Sequence, residues 1–196
     1  MSDLNVQIIV GTTRQGRVSD RVGKWVQAQA AGIEGVNAEI VDLAEYPMPF
    51  FDEAVPPKYN PERSPAPEVK KWLDKLAEAD AYVIVTAEYN RSMPAVLKNA
   101  LDYVGYEMSG KPAALVAHGS TGGAQAVASL RITVPGAGAF TIPAATFFSD
   151  YAANHISEEG ELSEELKAKP NGPQTALQAT LAELVEFGNA LKAARA

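Results

Sequence analysis

The stretch AYVIVTAEYNRSMPAVLKNALDYV, residues 81–104, joins a continuous apolar run to a helical pattern through a polar cluster. The run Ala81–Thr86 is typical of a strand that is buried on both faces of a parallel sheet. Apolar residues recur with helical spacing over Met93–Val104, and Pro94 suits a first helical turn because no N–H is needed there. The cluster Glu88–Ser92 is longer than a strand-to-helix turn requires. The stretch therefore predicts a βα unit whose loop has a function.

The same alternation of apolar runs and helical patterns extends over the rest of the chain. Further strands are predicted at Val6–Val10, Ala38–Leu43, Ala113–His118 and Gly138–Phe148, the last of them broken by Pro143. Further helices are predicted at Val18–Ala31, Glu68–Ala79 and Gly123–Val134 and over about residues 174–193. Five βα units predict one α/β domain over residues 1–196, with the three-layer, doubly wound flavodoxin-like fold and a parallel five-stranded sheet in the order 2-1-3-4-5. The segment Tyr151–Pro173 is expected to be an acidic, mobile excursion that contains a short helix.

Composition excludes several kinds of chemistry and of partner. The 196 residues include no cysteine, which excludes disulfides, thiolate catalysis and cysteine-based metal sites. A formal net charge of −7 disfavours general binding to nucleic acid or to anionic membranes. No apolar run approaches the ~20 residues of a membrane helix, and the first residues, MSDLNVQIIV, lack the pattern of a signal peptide. We therefore expect a cytoplasmic protein that binds neither nucleic acid, nor a membrane, nor a metal.

In a sheet of this order, ligands bind beyond the carboxyl ends of the strands, so three loops are the candidates for a site. The first is GTTRQGRVSDRV, residues 11–22, which places hydroxyl and guanidinium groups at a helix N-terminus. Such a loop favours a phosphate, because the helix end adds unpaired N–H groups and a positive dipole. Its candidate residues are Thr12, Arg14, Arg17 and Ser19. The alternative is that Ser19 is a plain helix cap and the arginines are solvated.

The loops after the third and fourth strands favour a flat ligand. After the third strand the candidates are Glu88, Tyr89, Asn90 and Arg91, and Met93 could form a further wall of the site. The alternative for Glu88 is a role outside ligand binding, either as a solvated carboxylate or as a cap for neighbouring N–H groups. After the fourth strand the candidates are Ser120, Thr121, Gly122 and Gly123, where glycines allow close backbone approach but also suit a plain turn. His118 is expected to be a scaffold group rather than a proton donor. Together the loops predict a mononucleotide with its phosphate at the first loop and its ring between the other two.

Three segments of the chain resemble the NADPH-dependent FMN reductases, a family of flavodoxin-like quinone, azo and chromate reductases. They are Gly11–Arg14 with Gly16–Ser19, Ala87–Asp102, and Gly119–Ala124 with Leu130-Arg131, and the resemblance runs over about residues 5–150. Its most specific part is the string E-Y-N-x-S-x-P-x-x-L-K-N-A-x-D. The resemblance implies an FMN phosphate against Thr12, Arg14 and Ser19, helped by Arg17. It implies a flavin ring against Glu88 to Arg91, with Ser120 to Gly123 on its far side.

The resemblance also implies a reaction. NADPH or NADH would pass hydride to flavin N5, and two electrons would then go to a quinone-like, azo, metal-oxyanion or free-flavin acceptor, with no side chain assigned as catalytic. A flavodoxin-type electron carrier or a flavin-binding module without turnover is the alternative. Three departures from the family pattern are Thr12 in place of the usual serine, Ala87 where proline is common and Arg91 where many members have glycine.

A homodimer, or a dimer of dimers, is the assembly that the resemblance implies. The loop Ala44–Glu53, AEYPMPFFDE, carries four large apolar residues that need burial somewhere. They are Tyr46, Met48, Phe50 and Phe51. Burial against their own core and burial against a partner subunit are the two alternatives.

Overall fold

The five strands that the sequence predicted form one sheet, and all of them pair in parallel. A computed structural model describes residues 3–149 and 152–195. Its strands are β1 Leu4–Val10, β2 Val36–Asp42, β3 Ala81–Ala87, β4 Pro112–His118 and β5 Phe140–Phe148. Their order in the sheet is β2-β1-β3-β4-β5, which confirms the flavodoxin-like α/β fold.

Helices cover both faces of this sheet. They are α1 Ser19–Ala31, α2 Pro67–Ala77, α3 Ala95–Asp102, α4 Ala124–Gly136, α5 Glu164–Ala168 and α6 Pro173–Arg195, with 3-10 turns at Leu43–Glu45, Pro57–Tyr59 and Ala152–Asn154. One apolar core joins α2, α3 and α4 to the sheet, and a second joins α1, α5 and α6 to its other face. β3 and β4 are buried along their whole length because both faces are covered. No helix in the two described ranges is both long and apolar enough to cross a membrane.

The expected break of the fifth strand at Pro143 is corrected by the structure, in which β5 runs through this proline. The pairing of β4 with β5 shifts between Ala113–Thr141 and Leu115–Ala145, so β5 accommodates extra residues as a bulge. β5 is an edge strand, where a proline that lacks an N–H is tolerated. Arg131 donates to the carbonyl of Ile142 over 2.9 Å and to that of Pro143, and it thereby ties the bulge to α4.

The segment after β5, expected to be a mobile excursion, is packed from residue 152 onward. Ala152, Ile156 and Leu162 are buried in the core that includes α1 and α6. At Gly160 the segment approaches α1 so closely that a Cβ would lie 2.5 Å from the Cβ of Lys24. The predicted short helix is confirmed as α5, whereas Tyr151, where the expected excursion begins, lies outside the described residues. This part of the chain therefore extends the core.

The four large apolar residues of the loop after β2 differ in their burial. Tyr46 is buried, and Met48 and Phe51 pack against the core that includes α2 and α3. Phe50 is 82% exposed. Three of the four large groups therefore cover their own subunit, and one is left on the surface.

Candidate functional site

The register of the sheet brings the loops after β1, β3 and β4 to one edge. Val10 lies beside Val85, Ala87 beside His118, and His118 beside Phe148. A cleft opens above these strand ends, and the segment after β5 forms one of its walls. The residues that line it are Arg14, Val18, Ala87, Glu88, Tyr89, His118, Gly119, Ser120, Ala152 and Ala153.

Four of the twelve predicted site residues line this cleft, and eight do not. The four are Arg14, Glu88, Tyr89 and Ser120. The others are Thr12, Arg17, Ser19, Asn90, Arg91, Thr121, Gly122 and Gly123. Sequence reasoning found the three loops because topology alone places them together.

Arg14 and Tyr89 connect the first and third loops across the cleft. The Nε of Arg14 donates to the hydroxyl of Tyr89 over 3.3 Å. The guanidinium carbon also lies 5.7 Å from the centroid of the Tyr89 ring, within the range of a cation–π contact. Because Arg14 remains exposed, it presents a positive charge at the mouth of the cleft.

Arg17 lies in the same loop but does not line the cleft, because its guanidinium is bonded elsewhere. Its Nη1 donates to the Oδ1 of Asp42 over 2.7 Å, and the guanidinium also donates to the carbonyl of Thr12. The hydrogen bond to the Asp42 carboxylate raises the pKa of the Arg17 guanidinium above its ordinary value. Arg17 thus fastens the loop to the end of β2. The hydroxyl of Thr12 is buried and has no hydrogen-bond partner among the described residues.

Ser19 and His118 form a buried hydrogen bond beneath the cleft. The Ser19 Oγ lies 2.8 Å from the His118 Nε2, which joins the start of α1 to the end of β4. Burial lowers the pKa of His118 to about 4, with the Arg14 charge as a further cause, so the imidazole is neutral at neutral pH. His118 therefore has the scaffold position expected from the sequence. Ser19 is the first residue of α1 rather than its cap, and Val18 precedes it.

Glu88 acts as a cap, one of the alternatives considered for it. Its carboxylate accepts from the Thr121 hydroxyl over 3.1 Å and from the backbone N–H of Gln125 over 2.9 Å. Gln125 lies in the first turn of α4, where the helix dipole favours a negative charge. The Glu88 N–H also donates to the carbonyl of His118 over 2.9 Å. These bonds fix the third loop to the fourth.

A tight two-residue turn lies within the polar cluster after β3. The N–H of Tyr89 donates to the carbonyl of Ser92 over 2.9 Å, and the Ser92 N–H returns a bond of 3.0 Å. Asn90 and Arg91 between them have φ angles of 50° and 67°, the pattern of a type I′ turn, for which Asn-Gly is preferred. Arg91 thus stands where glycine is favoured. Met93, expected to be a wall of the site, is instead buried in the core.

The glycines of the fourth loop are favoured by backbone conformation, and at Gly123 also by packing. Gly123 has a φ of 84°, and a Cβ there would lie 2.6 Å from the Ala117 Cβ and 2.9 Å from the His118 nitrogen. Gly122 has a φ of 79°. This tight turn starts α4 directly above β4 and leaves Ser120 at the cleft.

Sequence reasoning missed the apolar walls of the cleft. Val18, Ala87, Ala152 and Ala153 line it, but alanine and valine carry no chemical signal. Their positions after strand ends would have been the only indication. No group of three or more His, Asp or Glu side chains suited to a metal ion occurs within residues 3–149 and 152–195.

Comparisons with known proteins bear on the family and on the fold. The sequence profile of the NADPH-dependent FMN reductase family matches residues 4–154. An NAD(P)H-dependent FMN reductase of Schizosaccharomyces pombe is 33% identical over 126 residues, which cover 64% of this chain and 63% of that protein, less than two thirds of its length. An NADPH azoreductase of a Bacillus species is 32% identical over 169 residues, 84% of this chain and 85% of that protein.

Among solved structures, the flavoenzyme NAD(P)H:(acceptor) oxidoreductase FerB of Paracoccus denitrificans superposes with a TM-score of 0.74. The superposition covers 95% of this chain and 98% of FerB at 24% sequence identity, and it supports the fold alone. The profile match extends over more than half of the chain and includes all three loops of the cleft. The chain belongs to the NADPH-dependent FMN reductase family.

Proposed function

We propose that this protein is an NAD(P)H-dependent, FMN-containing oxidoreductase that reduces a small-molecule acceptor. Family membership supports this function, and the observation that carries it is the single cleft formed by the loops after β1, β3 and β4. When bound, FMN supplies the redox chemistry, which is hydride uptake at N5 from the nicotinamide and transfer of two electrons to the acceptor. The remaining tasks belong to the chain, which must hold the phosphate, position the ring and exclude water.

The first loop fits a phosphate group. No described side chain caps the first turn of α1, so its N–H groups are available to an anion at the positive end of the helix dipole. The exposed guanidinium of Arg14 adds a charged donor, and the unpartnered hydroxyl of Thr12 lies in the same loop. We assign phosphate binding to Thr12, Arg14 and Ser19. Arg17 supports them by holding the loop to Asp42.

The third and fourth loops fit a flat ring. A Cβ on Gly119 would lie 3.2 Å from the Cβ of Glu88, so glycine lets the two loops approach closely at the base of the cleft. Tyr89 and Ser120 line the cleft above this point. We place the ring against the backbone of Glu88 to Arg91, with Ser120 to Gly123 on its far side. The apolar groups of Val18 and Ala152 border the cleft and reduce the access of water.

No side chain of the cleft is assigned a proton-transfer role. His118, the one histidine that lines it, is buried, neutral at neutral pH and hydrogen-bonded to Ser19. Glu88 is occupied as a cap of α4. Hydride transfer to a bound flavin needs no acid or base from the protein, and we therefore assign the chemistry to the cofactor.

We also propose a homodimer that associates through α3 and α4 and the loop after β2. Phe50, Tyr59 and Ile132 are each more than 80% exposed, and Tyr59 and Ile132 border one groove together with Leu101. Large apolar groups exposed on one surface indicate an interaction site. A cytoplasmic location remains a prediction from the sequence.

The function is tested by flavin binding and by anaerobic reduction. The purified protein should take up FMN, and the absorbance of the bound flavin should be lost within seconds of mixing with NADPH or NADH in the absence of oxygen. Arg14→Gln should weaken FMN binding roughly tenfold or more, because a charge-assisted bond to phosphate is lost. Arg21→Gln is the matched control. It also removes one arginine charge, but from α1, where Arg21 pairs with Glu158, and it should leave the affinity for FMN unchanged.

Two results would contradict the proposal. Failure of the wild type to bind FMN would exclude a flavoenzyme. Bound flavin that stays oxidised for minutes with both nicotinamides would instead support the electron carrier or the flavin-binding module without turnover.

A further inference from the structure

Arg91 differs from every other arginine of the chain in its surroundings. All seven arginines lie in the described ranges, and Arg91 alone makes no hydrogen bond or ion pair with any described residue. Each of the others donates to a partner within the chain; they are Arg14, Arg17, Arg21, Arg63, Arg131 and Arg195. The guanidinium of Arg91 is therefore an exposed charge that the fold itself does not use.

The backbone conformation of Arg91 is unfavourable for a long side chain. Its φ of 67° lies in the left-handed region, where glycine is preferred and where the second central residue of a type I′ turn is usually glycine. A glycine would form the same turn without strain. Local strain that the fold does not require is typical of positions that are retained for function.

The turn places Arg91 two residues beyond a residue that lines the cleft. Tyr89, two residues earlier, lines the cleft, and the Cα atoms of these two residues are at most about 7.6 Å apart. Two anchors hold the turn at its base, namely the paired backbone bonds between Tyr89 and Ser92 and the Ser92 hydroxyl, which lies 3.2 Å from that of Ser129 on α4. The long side chain of Arg91 is thus carried by a fixed turn within reach of the cleft.

Charge makes this position distinctive. The chain carries a net charge of −7, so an arginine that forms no ion pair with a described residue is a local exception. A guanidinium binds phosphate, carboxylate and sulfonate groups through paired hydrogen bonds. A fixed positive charge at the mouth of a cleft also attracts anions as they enter.

We propose that Arg91 is a specificity residue that binds an anionic group of a substrate entering the cleft, an inference that rests on the proposed function. The group has two possible sources, the nicotinamide nucleotide or the electron acceptor. NADPH differs from NADH by one phosphate, and 1,2-naphthoquinone-4-sulfonate differs from 1,2-naphthoquinone by one sulfonate. These two matched pairs therefore distinguish the sources.

Three substitutions separate the charge from the backbone strain. Arg91→Gln removes the charge and keeps a side chain at the strained position, Arg91→Lys keeps the charge, and Arg91→Gly removes both charge and strain. With FMN-loaded protein, Arg91→Gln and Arg91→Gly should raise the KM of the anionic member of one pair roughly fivefold to tenfold. The ratio of the KM values within that pair should change by the same factor, and the ratio within the other pair should stay within twofold. Arg91→Lys should retain most of the discrimination.

Lys70→Gln is the matched control, since it removes one positive charge from an exposed pair with Asp74 on α2. It should leave all four KM values unchanged. Calorimetric titration of each variant with NADP⁺, NAD⁺ and both naphthoquinones gives the same comparison without turnover. An effect confined to NADP⁺ and NADPH assigns the group to the nucleotide, and an effect confined to the sulfonate assigns it to the acceptor.

Equal affinities of wild type and Arg91→Gln for all four ligands would overturn the assignment of Arg91. A wild type that neither binds FMN nor oxidises a nicotinamide would instead overturn the proposed function, and the calorimetric comparison would still decide on Arg91. A shared loss of affinity for all ligands in Arg91→Gln, without discrimination between the members of a pair, would also contradict an anion-binding role.

Discussion

At the scale of single residues, the bond between Ser19 and His118 shows how burial sets the state of a group beneath the cleft. Desolvation disfavours the imidazolium, and the positive charge of Arg14 acts in the same direction, so the pKa of His118 falls from 6.5 to about 4. A neutral imidazole can hold the Ser19 hydroxyl over 2.8 Å without adding a charge below the proposed flavin. The residue is thus suited to support and not to proton transfer at neutral pH.

This lowered pKa predicts a pH dependence of stability. Between pH 6.5 and pH 4 the unfolded chain binds a proton at His118 and the folded protein does not, so the free energy of unfolding should fall as the pH falls. The slope contributed by one such group is at most about 1.4 kcal/mol per pH unit. His118→Gln keeps an amide that can bond to Ser19 but cannot titrate. Urea unfolding of both proteins from pH 7 to pH 4.5 should show a steeper loss in the wild type, whereas parallel curves would contradict a buried, neutral histidine.

At the scale of the elements, the sequence predicted what depends on local pattern and missed what depends on distant contacts. The apolar runs identified five strands because both faces of the sheet are covered. The bulge that lets β5 run through Pro143 depends on an edge position and on Arg131 from α4, which no local pattern shows. The loops of the site followed from topology. The pairing of Arg17 with Asp42 and the wall at Ala152 depend on segments that are distant in sequence.

The two glycines at the ends of α4, Gly123 and Gly136, give a prediction about stability in which the second serves as the control for the first. Gly123→Ala places a Cβ 2.6 Å from the Ala117 Cβ and 2.9 Å from the His118 nitrogen at a φ of 84°, so both contact and backbone are unfavourable. We expect a loss of roughly 3 kcal/mol or more in the free energy of unfolding. Gly136→Ala, at the other end of α4, meets no atom within 4 Å and should stabilise by roughly 0.5 kcal/mol. Urea unfolding of the two variants measures both values, and a similar effect of the two changes would contradict the packing requirement at Gly123.

At the scale of the whole molecule, the two faces of the sheet differ in what they leave exposed. On the face covered by α2, α3 and α4, Ile132 and Tyr59 border a groove, and both are more than 80% exposed. On the other face, Phe187 of α6 is less than half exposed. Apolar area on the α3–α4 side is exposed in one subunit, and its burial would stabilise an assembly by roughly 25 cal/mol per Å² of area removed from water.

The proposed dimer is therefore tested by placing a charge in this surface. Wild-type protein should sediment at twice the 20.8 kDa of one chain at micromolar concentration. Ile132→Glu should raise the dissociation constant at least roughly tenfold, because a carboxylate would be buried without a partner in the interface. Since Ile132 is 81% exposed in the single chain, the change should leave the free energy of unfolding of the monomer nearly unaltered. Phe187→Glu puts the same charge on α6 and should leave association unchanged. A wild type that sediments as a monomer, or equal dissociation constants for the two variants, would place the interface elsewhere or exclude it.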